Sequence, residues 1–278
     1  MRSLIKSGSV RPPAIAGSFY AASRISLSND IEHLLQNANE ELDSETLENY
    51  SSKREINACI LPHAGLIYSG AAAAKGYALL HKQSHRFDHV LLIGPSHKVY
   101  FEGLALASFE NYQTPLGKMP VSWEFASQVA ELPFVHFNND AHAYEHCLEI
   151  HLPFIQTVLS SVKITPVVFG QSDAGQVSRV IELGLGFDNT LIIVSSDLSH
   201  FHDYQSAQQI DQKTSHQIES FDTNLITPHQ ACGSTAVNGL IEVARNHDWS
   251  VENIALCNSG DYAGDKNRVV GYGSYVFF

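Results

Sequence analysis

The chain has 278 residues, 44% of them hydrophobic, with 17 Lys and Arg against 29 Asp and Glu and a formal net charge of −12. That balance argues against nucleic acid as a partner, because such binding is driven by Lys and Arg meeting phosphates, and no local basic patch offsets it. No stretch approaches the roughly 18 to 20 unbroken apolar residues of a membrane helix. Residues Met1 to Gly8 carry no apolar core of a secretory signal, so a cytoplasmic location away from membranes is expected. Cysteines 59, 147, 232 and 257 form no Cys-x-x-Cys pair, which suits a reducing compartment.

Taken in chain order, Arg11 to Tyr20 opens with two prolines that forbid regular helix and is expected to lie extended against the body. Apolar positions Ile31, Leu34, Leu35, Ala38 and Leu42 predict a helix from Ser28 to about Leu42, with Ser28 or Asn29 as its cap. The polar stretch Asp43 to Arg54 reads as a mobile loop. Ala58 to Leu61 reads as a strand running into Pro62-His63-Ala64-Gly65, and alanine-rich Ala71 to Lys82 as a helix. A second strand begins at His89 and ends at Gly94-Pro95-Ser96-His97. A short strand follows within Gly103 to Ala107, then a turn at Thr114 to Gly117 and a short helix from Trp123 to Glu131. Beyond Glu145 a helix either begins near Leu152 or is kinked at Pro153. Ile164 to Phe169 (strand), Ala174 to Leu185 (helix) and Leu191 to Val194 (strand) suggest a right-handed parallel crossover. Helices Tyr204 to Phe221 and Ser234 to Asn246 and a closing strand from Arg268 to Phe278 complete the pattern. Strands interleaved with helices predict an α/β fold, a three-layer α/β/α sandwich around a mostly parallel sheet, with residues 1–278 as a single domain.

Three of these apolar strands run abruptly into polar chemistry, ending at His63, at His97 and at Ser195-Ser196-Asp197-Leu198-Ser199-His200. In an open α/β sheet, ligands sit outside the carboxyl ends of the strands, so these segments are candidates for one metal or catalytic crevice. The bland reading is a pair of histidines bound to loop carbonyls. Asp197, three residues from His200, is placed to orient that imidazole, to reach a metal or to move a proton. Cys232 precedes Gly233 and a helix start, where unpaired amides and the dipole favour a thiolate, although a buried inert cysteine fits as well. Glu145 and Glu149 stand one helical turn apart and would share a face with His142 or His146, either flanking a metal or merely favoured by a helix dipole. No dinucleotide loop, Gly-x-Ser-x-Gly elbow or His-Glu-x-x-His signature is present.

The ordered set Ala16-Gly17-Ser18-Phe19-Tyr20, Pro62-His63-Ala64-Gly65, Gly94-Pro95-Ser96-His97, Glu145-His146 with Glu149 and His151-Leu152-Pro153, Ser195-Ser196-Asp197 with His200, and Cys232-Gly233 resembles the Memo family across nearly the whole chain. Prokaryotic members are known as AmmeMemoRadiSam system protein B, which implies association with AMMECR-type and radical SAM proteins. The resemblance also implies a fold similar to class III extradiol ring-cleaving dioxygenases. Those enzymes hold ferrous iron with two histidines and a carboxylate, whereas Memo proteins are understood to bind iron or copper through two histidines and a cysteine. Carried onto this sequence, the ligands would be His63, His97 and Cys232, with Asp197, His200 and Glu145 as catalytic candidates. The eukaryotic relative has tryptophan where this chain has Phe19.

The expectation is therefore a metal-binding redox protein that uses iron or copper, with zinc less favoured, on an unidentified small-molecule or peptide ligand. Two rivals stay open: a non-enzymatic adaptor gripping a ligand in a vestigial crevice, and a zinc-dependent hydrolase.

Overall fold

A computed structural model describes residues 8–159, 161–187, 189–222, 224–262 and 265–278; most of the stretch read for a secretory signal lies outside them. The elements are β1 (Val10–Arg11), α1 (Arg24–Glu41), α2 (Ser44–Ser52), β2 (Ala58–Leu61), α3 (Leu66–Lys82), β3 (His89–Pro95), β4 (Leu104–Leu106), β5 (Asn111–Thr114), β6 (Gly117–Pro120) and α4 (Trp123–Val129). They continue with β7 (Val135–Phe137), α5 (Asn139–Ala143), α6 (Leu152–Val158), β8 (Lys163–Phe169), α7 (Ala174–Leu185), β9 (Thr190–Ser195), β10 (His200–His202), α8 (Tyr204–Glu219), α9 (Ser234–Asn246), β11 (Val251–Asn258) and β12 (Val269–Phe277). Among the described residues these strands make one large sheet in the order β10-β12-β2-β9-β3-β8-β4-β7, with β11 on β12, and a small sheet β1-β5-β6.

The centre of the large sheet is parallel, with β2 on β9, β9 on β3 and β3 on β8, whereas β12 joins antiparallel to β2. The crossover expected between β8 and β9 spans β3, which lies between them. Each central strand is apolar on both faces because each face is covered, as parallel sheets require. Alternate residues divide accordingly. Cys59, Leu61, Val90, Leu92, Leu191 and Ile193 join one core cluster, shared with residues of α1, α3 and α6. Ala58, Ile60, Leu91, Ile93, Ile192 and Val194 join the other, shared with residues of α4, α7, α8 and α9. The predicted three layers are present.

Several boundaries differ from the sequence reading. The first helix starts at Arg24 because the Ser23 side chain accepts from the Ser26 amide, so Ser28 and Asn29 lie inside it. Residues 44–52 are helical, not a loop: Asp43 caps the Thr46 amide, and the Tyr50 side chain is fully buried. The turn at Thr114 to Gly117 is the tip of a β5–β6 hairpin. The helix at Pro153 begins at Leu152 with proline in its first turn, the tolerated place. Glu145 and Glu149 are not on one helix, because α5 ends at Ala143 and Glu149 opens a separate short 3-10 turn.

Candidate metal centre

The carboxyl ends of β2, β3 and β9 deliver His63, His97 and Asp197 to one place, and the loop after α5 adds His146. The ring centroids of His63 and His97 are 5.2 Å apart, those of His63 and His146 5.4 Å, and those of His97 and His146 4.5 Å. One ring nitrogen from each of the three lies within 4.8 Å of the others, a spacing that can hold a metal ion. Cys232 Sγ lies 3.3 Å from His63 Nε2. Cys232 therefore lies against His63, the close three-residue group among the described residues is His63, His97 and His146, and His146 is an imidazole that spacing alone did not single out.

Hydrogen bonds around the cluster determine which nitrogens are free. The Ser195 hydroxyl donates to the Cys147 carbonyl (2.7 Å), so its lone pairs can only accept from His63 Nδ1 at 2.7 Å and His151 Nε2 at 3.0 Å. His151 Nδ1 in turn accepts from the Tyr77 hydroxyl at 3.0 Å. This chain puts the His63 proton on Nδ1 and leaves Nε2 unprotonated toward Cys232. Glu145 does the same for His97: its Oε1 accepts from His97 Nδ1 (2.9 Å), and Oε2 accepts from the His97 amide (2.6 Å). Histidines that ligate metals are commonly held this way, with the second nitrogen donated to an outer partner.

The close packing depends on two glycines. A Cβ on Gly94 would sit 2.7 Å from Cys147 Sγ and 2.8 Å from Leu148 Cδ2, and one on Gly233 would sit 2.5 Å from the Ser196 Cβ. At Gly233 the backbone amide donates to Ser196 Oγ (2.9 Å), and the Cys232 amide donates to the Asp197 carbonyl (3.2 Å). The start of α9 is thereby fastened to the end of β9, which fixes the thiol beside His63.

The charges follow from burial. Desolvation, reinforced by His97 and His146, holds the His63 imidazole well below the ordinary value, so it is neutral and able to donate a lone pair. Desolvation works against the Glu145 carboxylate, but hydrogen bonds from His146 and His97 outweigh it and keep the group far into the ionised range. Asp197 is pushed up by desolvation, although the His63 amide donates to its Oδ1 at 2.7 Å. For Cys232 the surroundings act in opposite directions. Burial and the neighbouring Asp197 push the thiol up, while hydrogen bonds from Ser196 and the Gly233 amide at the helix start pull it down.

The other candidates separate into distinct roles. His200 Nδ1 lies 2.8 Å from the Leu198 carbonyl, so that carbonyl orients the ring where Asp197 was expected to. Glu149 is remote in function: it pairs with buried Arg11, accepts from the Ala14 amide (2.8 Å) and from the Tyr20 hydroxyl, and so seats the amino-terminal segment. Glu145, with its oxygens bound to His97, His146 and Cys147 groups, positions ligands. A cavity of about 440 Å³ reaches Asp197, His146 and His200, and a second of about 470 Å³ reaches His97 and Cys232.

A family model for Memo-like protein matches residues 11–276. The chain belongs to the Memo-like family. A MEMO1 family protein of Methanosarcina mazei is 29% identical over 280 residues, covering 96% of this chain and 98% of its own length. Another from Archaeoglobus fulgidus is 30% identical, covering 96% and 99%. Among solved structures, the uncharacterized protein JW3007 of Escherichia coli K12 superposes with a TM-score of 0.53 over 80% of this chain and 99% of its own, at 11% identity, a likeness of fold alone. Among the described residues no helix is long and apolar enough to cross a membrane.

Proposed function

We propose that this Memo-like protein is a metal-dependent redox protein in which His63, His97 and Cys232 hold iron or copper. The observation that carries the reading is the pair of imidazoles whose Nδ1 positions are committed to Ser195 and Glu145, with a thiol 3.3 Å from His63 Nε2. A set of two imidazoles and one thiol suits iron or copper. The bound metal would supply one-electron chemistry with dioxygen or a related oxidant. The protein's own part is to admit a ligand through the cavity at Asp197, to hold a proton on that raised carboxyl, and to exchange it with His200 beside the same cavity.

His146 favours a second reading. Three clustered imidazoles also suit zinc, which would make the centre hydrolytic. Metal content and oxidation state of protein purified without chelators discriminate the two. Iron or copper lost from His63→Ala and His97→Ala, but retained in the exposed controls His81→Ala and His85→Ala, is the expected result. Full metal occupancy in both site variants refutes the centre. Zinc alone, together with hydrolytic activity, supports the second reading.

A further inference from the structure

The cavity of about 440 Å³ has a feature that metal binding does not use. Its lining includes Arg268, the sole Lys or Arg among the lining residues, together with the aromatic residues Phe19, Tyr68 and Tyr272. Among the described residues the Arg268 guanidinium makes no ion pair or side-chain hydrogen bond; its contact is with the ring of Phe201, 5.0 Å from guanidinium carbon to ring centroid. Five donors of this exposed residue are therefore unspent on protein groups at a cavity that also reaches a buried carboxyl and two imidazoles. The chain as a whole repels anions, with a net charge of −12, so an unpaired arginine at this cavity is a local exception in sign. The nearest acid on its own loop is committed elsewhere: Asp265 Oδ1 accepts from the Asn267 amide at 2.9 Å and from Asn267 Nδ2 at 2.6 Å. Asp197, the other lining acid, accepts from the His63 amide.

Phe201 adopts a strained backbone conformation at this contact. Its φ is +63°, a region that bulky residues rarely occupy, and strain of this kind gathers at ligand-binding sites. The strain coincides with an irregularity in pairing: His200 faces Val270 and His202 faces Val269, so the register shifts across Phe201. The outcome is a large ring left 62% exposed, with the Arg268 guanidinium carbon 5.0 Å from its centroid. A guanidinium whose only contact is a ring face keeps its N–H donors free, and their fork matches a carboxylate in a two-pronged pairing.

We infer that Arg268, backed by Phe201, is the anchor for a small organic carboxylate with a flat apolar body, whose remainder lies against Phe19, Tyr68 and Tyr272 within reach of His146, Asp197 and His200. This names the ligand class for the site of the preceding section and rests on that cavity being the substrate chamber. The volume suits one small organic molecule. A planar body follows from the aromatic lining, and the negative charge follows from the free guanidinium.

The test uses three probes of similar shape and different charge: benzoate, benzyl alcohol and benzylamine. Dissociation constants are measured by NMR titration on the full chain, metal-loaded and metal-stripped, with metal content determined on the same samples. The wild type is expected to bind benzoate about tenfold more tightly than benzyl alcohol and to reject benzylamine. Arg268→Gln should erase the benzoate preference while leaving benzyl alcohol binding within about twofold and metal content unchanged. Arg268→Lys should restore part of the preference, because it returns the charge without the fork. Equal binding of benzoate and benzyl alcohol by the wild type, no binding of any probe, or an undiminished preference in Arg268→Gln overturns the assignment. Failure of the metal centre is read separately: a benzoate preference in protein whose His63→Ala and His97→Ala variants keep their metal leaves the anchor standing and removes the redox reading.

Discussion

Replacing Glu145 by glutamine tests whether outer hydrogen bonds set the metal affinity. The side chain keeps its size, but one oxygen becomes an NH2 group in a pocket where both positions face donors: the His97 amide at 2.6 Å on one side, His97 Nδ1 at 2.9 Å and the His146 and Cys147 amides on the other. If the NH2 faces the His97 amide, two donors meet, and a buried donor is left unsatisfied at a cost of about 1–3 kcal/mol. If it faces Nδ1, the imidazole must accept there and carry its proton on Nε2, which removes the lone pair that would hold a metal. Either outcome lowers metal affinity, by about 10- to 100-fold on the scale of outer-partner substitutions. Competition titration of the apoprotein against a chromophoric chelator, with iron(II) and with zinc(II), measures the affinity, and urea unfolding reports stability independently. A folded Glu145→Gln protein with affinity within about twofold of the wild type would refute the reasoning.

Gly94→Ala should destabilise the fold by about 1–3 kcal/mol in urea unfolding, because its Cβ would meet Cys147 Sγ at 2.7 Å and Leu148 Cδ2 at 2.8 Å; an unchanged midpoint would mean that the site can relax. Arg11→Met leaves the Glu149 carboxylate buried without its cation and should cost about 3–5 kcal/mol, with part recovered in Arg11→Met/Glu149→Gln, as thermal unfolding would show. His89, buried between Thr165 and Thr190, is held at about 4 by desolvation, against an ordinary 6.5. Between those values the unfolded chain binds a proton that the folded one refuses. Its stability contribution, about 3 kcal/mol above pH 6.5, is therefore lost as the pH falls toward 4. His89→Gln should flatten that part of the stability profile, and an identical slope in both proteins would count against it.

The strands and layers were legible because their signals are local. Apolar runs such as Leu191 to Val194 specify a buried parallel strand, and α7 and α9 fall at Ala174–Leu185 and Ser234–Asn246 as their periodicity predicts. Strand-end histidines could be read for the same reason, since a polar residue closing an apolar strand is exposed to whatever lies beyond the sheet. The rest depended on contacts between distant segments. His146 sits in a loop whose path is set by Glu145, and no periodicity reports that. Ser195 looked like one hydroxyl among several, and its role emerges only when His63, His151 and Cys147 converge on it. The burial of Cys232 and its closeness to Asp197, which push its thiol up, are properties of the folded surroundings that no local pattern reports. Helix α2 was missed because its sequence is polar and its anchoring residue, Tyr50, reaches Glu252, two hundred residues away in the chain.

The span of chain that builds the centre also has a consequence for biosynthesis. His63, His97, His146 and Cys232 come from four separated segments, and β12, the last strand, pairs with β2, one of the first. A nascent chain emerging from the ribosome with its first three histidines has no thiol, and the β2 edge stays unpaired until β12 has been made. Contacts of such long sequence separation form late, after their loop-closure cost has been met. A metal held by all four residues would therefore have to be loaded after translation, since a growing chain lacks the finished site.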